Sequence, residues 1–120
     1  MIDQSSPTAT IDAYVECCRQ GDVEGLRQLF HKQAAMYGYL NGELMTGTPD
    51  IFYQAVATAP SPASSGEPYQ AELSSAATTE QTATVILKEK NYWGMNFTNS
   101  FQLLKTAGKW FIVSKLFQSE

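Results

Sequence analysis

Apolar residues recur every three or four positions along the first half of the chain and alternate along the second. Ile11, Tyr14, Val15 and Cys18 share one side of a helix that Ser6 can cap, Pro7 can open and Gly21 can stop. Asp22 caps a second, shorter helix with Val23, Leu26, Leu29 and Phe30 on its apolar side. Thr48 and Pro49 open a third, which carries Ile51, Phe52, Ala55, Val56 and Ala59 and ends at Pro60. All three helices are amphipathic and need a surface to lie against. Between the second and third, Ala35–Leu40 reads as a strand, Asn41-Gly42 as a two-residue hairpin turn and Glu43–Met45 as the return. Residues Pro60–Pro68, rich in Pro, Ser and Gly without an apolar period, read as an exposed loop.

From Tyr69 onward the period is two. Tyr69, Ala71 and Leu73 alternate with Gln70, Glu72 and Ser74, and Ala83, Val85 and Leu87 with Thr82, Thr84 and Ile86. A long strand follows, with Trp93, Met95, Phe97, Asn99, Phe101 and Leu103 on one face and Asn96, Thr98, Ser100, Gln102 and Leu104 on the other. A turn at Ala107-Gly108-Lys109 leads to a last strand, in which Trp110, Ile112 and Leu116 oppose Phe111, Val113 and Phe117. Helices followed by strands joined through short turns predict an α+β fold with an antiparallel meander. The last two strands are apolar on both faces, which an antiparallel sheet with one wet face does not need. Three helices can cover one side, so a homodimer packed through the other is expected.

A length of 120 residues fits a single domain over 1–120 with one core. Hydrophobic residues make up 43% of the chain, which suits a packed globule rather than a disordered one. The net charge of −4, with only 8 Lys and Arg, provides no basic stripe for phosphates, so no nucleic acid partner is expected. Met1–Asp12 lacks the charge and apolar run of a signal peptide, and no apolar segment is long enough to span a membrane. Cys17 and Cys18 are neighbours on a helix and do not face each other; two unpaired thiols fit a reducing cytoplasm. They and His31, the one histidine, cannot complete a zinc shell. No phosphate loop, nucleophile elbow or metal-ligand spacing occurs, so no cofactor, metal or catalytic motif is assigned.

Several runs bear a family likeness. Val23–His31 followed by Gln33-Ala34 resembles the second-helix signature of the nuclear transport factor 2-like superfamily, with Gln-Ala in place of its usual Asp-Ala. Gly38–Glu43, Gly47–Tyr53, Asn96–Lys105 and Gly108–Phe117 narrow the likeness to the branch labelled putative lumazine-binding. It covers roughly Thr10–Phe117. The resemblance implies a cone: a curved antiparallel sheet, or cystatin-like roll, with the three helices in its concave face and a cavity between. It also implies a dimer across the outer face. The scaffold hosts isomerases, dehydratases, cyclases and plain binders, so it does not define a reaction.

Steroid isomerases of this scaffold use a tyrosine and two aspartates. By the resemblance Tyr14 falls near the tyrosine position, whereas the carboxylate positions fall near Tyr39 and Ser100, which excludes that reaction. The leading reading is a dimeric binder of an unknown small molecule, mostly apolar or planar, in a hydrophobic pocket. The expected contacts are Tyr14, Tyr37, Tyr39, Phe52, Asn96, Ser100 and Gln102. On this assignment the even residues of the long strand face the pocket, and Trp93, Phe97 and Phe101 face the dimer partner. Lys115 is expected to pair with a strand carboxylate such as Glu72. Two alternatives stand beside this reading: a lyase, isomerase or cyclase using Tyr14 with His31, and a dimerisation module without catalysis.

Overall fold

The computed structural model describes residues 2–120. Its elements run α1 (Pro7–Gln20), α2 (Val23–Leu29), β1 (Phe30–Leu40), β2 (Glu43–Gly47), α3 (Asp50–Thr58), α4 (Pro62–Ser65), β3 (Gln70–Thr78), β4 (Thr82–Tyr92), β5 (Met95–Thr106) and β6 (Lys109–Ser119). The helix ends follow from local chemistry. The Ser6 hydroxyl accepts the Ala9 N–H at 3.0 Å, and Gly21 closes α1 in the left-handed region at φ 69°. Asp22 caps α2 by accepting the Gly25 N–H at 2.9 Å. At α3 the cap is Pro49 itself, while Thr48 Oγ1 accepts the Asp50 N–H at 3.3 Å, so the helix starts one residue later than the cap-plus-proline pattern predicts. The segment expected to be loop contains α4, one turn capped by Ser61 with Pro62 buried beneath it.

The strands form one six-stranded sheet in the order β2-β1-β6-β5-β4-β3. Neighbours are antiparallel except β1 and β6, which run parallel, so the sheet is mixed. Hairpin turns sit where the chain tolerates positive φ: Asn41-Gly42, Trp93-Gly94 and Ala107-Gly108. Trp93 therefore belongs to a turn between β4 and β5, not to the long strand.

The concave face carries Val85, Leu87 and Glu89 of β4, Phe97, Asn99, Phe101 and Leu103 of β5, and Trp110 and Ile112 of β6, all buried. Helix α1 fills the hollow; its Tyr14 ring meets Phe101 edge-on at 4.8 Å and stacks on Phe52 of α3 at 6.0 Å. Phe97 and Phe101 thus lie inside, and the even residues Asn96, Ser100 and Gln102 face outward. This reverses the face assignment made from the sequence. The hollow has no polar helix surface to match: α1 presents Ile11, Tyr14 and Cys18, and only the odd set supplies the apolar volume to pack them.

Strict alternation fails at two bulges. On β6 Ile112 pairs with Leu103 and Ser114 with Gln102, so one extra residue lies between them. Beyond it the parity inverts: Lys115 and Phe117 turn inward beside Trp110 and Ile112, and Leu116 turns outward, 59% exposed. On β4 the step from Glu89 to Tyr92 spans only Phe97 to Met95 on β5, and Asn91 takes positive φ there. Tyr92 consequently points into the hollow with Glu89. Among the described residues no helix is long and apolar enough to cross a membrane.

Candidate functional site

A cavity of about 60 Å³ opens between β1, β2 and α3 on one side and the β4–β5 turn on the other. Met36 and Leu40 of β1, Met45 of β2 and Ile51, Phe52 and Ala55 of α3 form one wall. Tyr92 and Trp93, stacked at 4.2 Å, form the other with Phe97 and Phe117. Gly38 shares the inward side of β1 with Met36 and Leu40, and a side chain there would collide with the Phe117 ring at 2.5 Å. The lining is apolar except for two groups, Glu89 and Lys115.

Both are buried, Glu89 to 2% exposure and Lys115 to 5%. Charged side chains are rarely hidden this completely without a partner or a task. Glu89 is held on both oxygens. The Tyr69 hydroxyl donates to Oε2 at 2.5 Å and Asn99 Nδ2 to Oε1 at 2.7 Å. Asn99 also donates to the Leu87 carbonyl at 3.4 Å, which leaves its Oδ1 without a partner among the described residues, as is the Tyr14 hydroxyl. Burial raises the phenol pKa of Tyr69, and the neighbouring Glu89 raises it further, so Tyr69 stays a donor.

Lys115 is held differently. Its Nζ lies 3.9 Å from the centre of the Phe52 ring and 5.5 and 5.2 Å from those of Tyr14 and Phe117. No carboxylate comes within 4.0 Å of it among the described residues; the two ion pairs there join Arg19 to Glu16 and Arg27 to Glu24 on the surface. The expected pairing with Glu72 is absent because Glu72 is exposed on β3, at the far edge of the sheet. Burial lowers the Lys115 pKa, and the charge of Glu89 only partly opposes this. Lys115 is also the one buried lysine; Lys32, Lys88, Lys90, Lys105 and Lys109 are exposed.

The residues singled out in the sequence divide between the two faces. Phe52 lines the cavity, and Tyr14 packs directly behind it. Tyr37, Tyr39 and Ser100 border a depression on the outer face with Leu44 and Leu116, while Asn96 and Gln102 are exposed on the same outer side. His31 stands edge-on to Phe111 at 6.4 Å, away from the cavity, and its Nδ1 accepts the Gln33 N–H at 3.1 Å. That placement removes His31 from any reaction in the cone. Glu89 escaped the sequence reading although the alternation of Ala83, Val85 and Leu87 continues straight to it. A carboxylate on an apolar strand face was the available signal. Tyr92 and the inward turn of Lys115 left no such signal, because a bulge precedes each. Both cysteines are free and buried, and burial raises both thiol pKa values, that of Cys17 to about 11. Among the described residues no three His, Cys, Asp or Glu side chains are grouped to hold a metal.

A sheet curved around its own N-terminal helices, with a lined hollow between them, defines the nuclear transport factor 2-like class. Within it the chain belongs to the family described as "Putative lumazine-binding", whose model matches residues 3–118. It is 32% identical over 112 residues to "Aldolase FrzH" of Cladobotryum sp., across 92% of this chain and 86% of that one. Two solved structures, both nuclear transport factor 2-like proteins of unknown function, share the fold. That from Silicibacter pomeroyi DSS-3 has TM-score 0.82 at 26% identity, covering 94% of this chain and 92% of its own. That from Methylobacillus flagellatus KT has TM-score 0.85 at 24% identity, covering 94% and 88%.

Proposed function

We propose that the cone binds a compact, mostly apolar small molecule whose polar end, a carbonyl group, meets Glu89 and Lys115. The observation that carries this reading is the pairing of one acid and one amine, both buried, in a lining otherwise made of Met, Leu, Ile and aromatic side chains. Size favours a compact ligand over a fused bicyclic one such as a lumazine. Met36 and Met45 in the wall supply the probe. With 13C-labelled methionine methyls, compact ketones and aldehydes should shift the Met36 and Met45 signals and leave Met95 nearly still. Shifts at neither wall methionine with any compound would sink the reading.

A second reading, aldol-type lyase chemistry on that carbonyl compound, is favoured by the likeness to an aldolase and by the presence of both a proton acceptor and an amine at one cavity. It predicts exchange of hydrogen next to the carbonyl in deuterium oxide, lost in Glu89→Gln.

The convex face supports a homodimer. Tyr37, Tyr39, Leu44 and Leu116 are each about half exposed or more and adjoin one another there. Leu116→Asp should shift sedimentation from dimer to monomer; a wild-type monomer at micromolar concentration would remove this part of the proposal.

A further inference from the structure

We propose that Lys115 is a covalent catalytic residue: its amine bonds to the carbonyl carbon of the molecule held in the cone, forming an imine. This rests on the reading of the cavity as a carbonyl-binding site and assigns the atom that reacts.

Placement singles Lys115 out. A lysine becomes a nucleophile when an apolar site disfavours its ammonium form, which frees the lone pair. Lys115 is buried against Phe52 and Phe117, has no carboxylate within contact distance and lines the cavity. Strict alternation from Ile112 would turn Lys115 to the convex face and solvent; the bulge on β6 turns it inward.

The steps balance. The neutral amine adds to the carbonyl carbon, the carbonyl electron pair moves to oxygen, and one proton passes from the new ammonium nitrogen to that oxygen to give a neutral carbinolamine. A further proton on that hydroxyl lets it leave as water while the nitrogen lone pair forms the C=N bond of the protonated imine. Glu89, on the neighbouring cavity wall, is the group placed to take a proton from the adjacent carbon, its electron pair flowing into the iminium to give an enamine. Addition of the enamine to a second carbonyl compound, then hydrolysis by water, completes an aldol addition and restores the amine; the reverse sequence cleaves one.

The test uses the wild-type chain, butanone and cyanoborohydride, with the five exposed lysines as internal controls. Intact mass and peptide mapping should show one reduced butyl adduct on Lys115, formed on the order of tenfold faster than on any exposed lysine. Lys115→Met, which keeps the apolar stem, should lose the fast adduct and still melt cooperatively. Butan-2-ol, which has no carbonyl, reports occupancy alone through the Met36 and Met45 signals. Occupancy by butan-2-ol with no fast labelling of Lys115 would overturn the covalent role and leave the binding reading standing. Neither occupancy nor labelling would overturn both. Labelling at equal rates on all lysines would also overturn the covalent role.

Discussion

Removing one hydroxyl should test whether the buried acid is held as described. Tyr69→Phe keeps the ring, which Arg19 covers at 5.0 Å and Tyr92 meets at 5.1 Å, so packing changes little. The lost interaction is the 2.5 Å hydrogen bond to Glu89, whose side chain has almost no access to water. A hydrogen bond to a carboxylate contributes about 1.5–3 kcal/mol, and here its loss leaves Oε2 without a partner. The expected cost is therefore about 2–3 kcal/mol. For a chain of this length that corresponds to a fall of roughly 8–15 °C in Tm. The background should set the size of the effect. With Glu89→Gln the acceptor is neutral and Tyr69→Phe should cost about 1 kcal/mol; with Glu89→Leu there is no acceptor and the cost should fall within about 0.5 kcal/mol of zero. Urea unfolding with an unchanged m-value measures each corner of the cycle. An equal cost for Tyr69→Phe in all three backgrounds would refute the claim that this hydroxyl serves the carboxylate.

Burial raises the phenol pKa of Tyr14, Tyr69 and Tyr92 above the usual 10.0, so above about pH 10 the unfolded chain sheds protons that the folded chain keeps. Stability held below that pH should then fall by about 1.4 kcal/mol per pH unit per tyrosine. Lys115, with its pKa lowered, works the other way below its usual 10.5, but it stands against these tyrosines, Tyr53 and the two thiols, whose pKa values burial also raises. Urea titrations from about pH 8 to 11 measure the balance, and a flat profile would contradict it. Gly38→Ala places a methyl against the Phe117 ring and carbonyl and should cost about 1–3 kcal/mol in thermal unfolding; an unchanged Tm would show that β1 and β6 yield more freely than their packing implies. His31→Ala should change stability by less than about 1 kcal/mol and leave ligand-induced shifts at Met36 and Met45 intact, since His31 touches Phe111 outside the cone; loss of those shifts would count against this placement.

Apart from α4 and the Trp93 turn, the elements and the fold class are legible in local residue patterns. Ser6 with Pro7, Gly21, Asp22, Asn41-Gly42 and the change of period near Tyr69 act through local geometry: caps, left-handed turns and face alternation operate within a few residues, so they are readable without the rest of the chain. The family likeness was legible for the same reason, being carried by contiguous runs, and the match over residues 3–118 agrees with it. Which face of β5 looks inward was not legible. Its odd set has the aromatics and its even set the amides, and either could have met a ligand; the apolar side of α1 decided it by needing Phe101 against Tyr14. The site depended still more on tertiary structure. Glu89 lies in plain alternation with Leu87, but its meaning comes from Tyr69 and Asn99, which two other strands or strand edges bring to it from 20 and 10 residues away. Lys115 and Tyr92 enter the cone only because an extra residue in β6 and another in β4 each turn the strand over. A bulge is a property of the pairing between two strands, so no single strand records it.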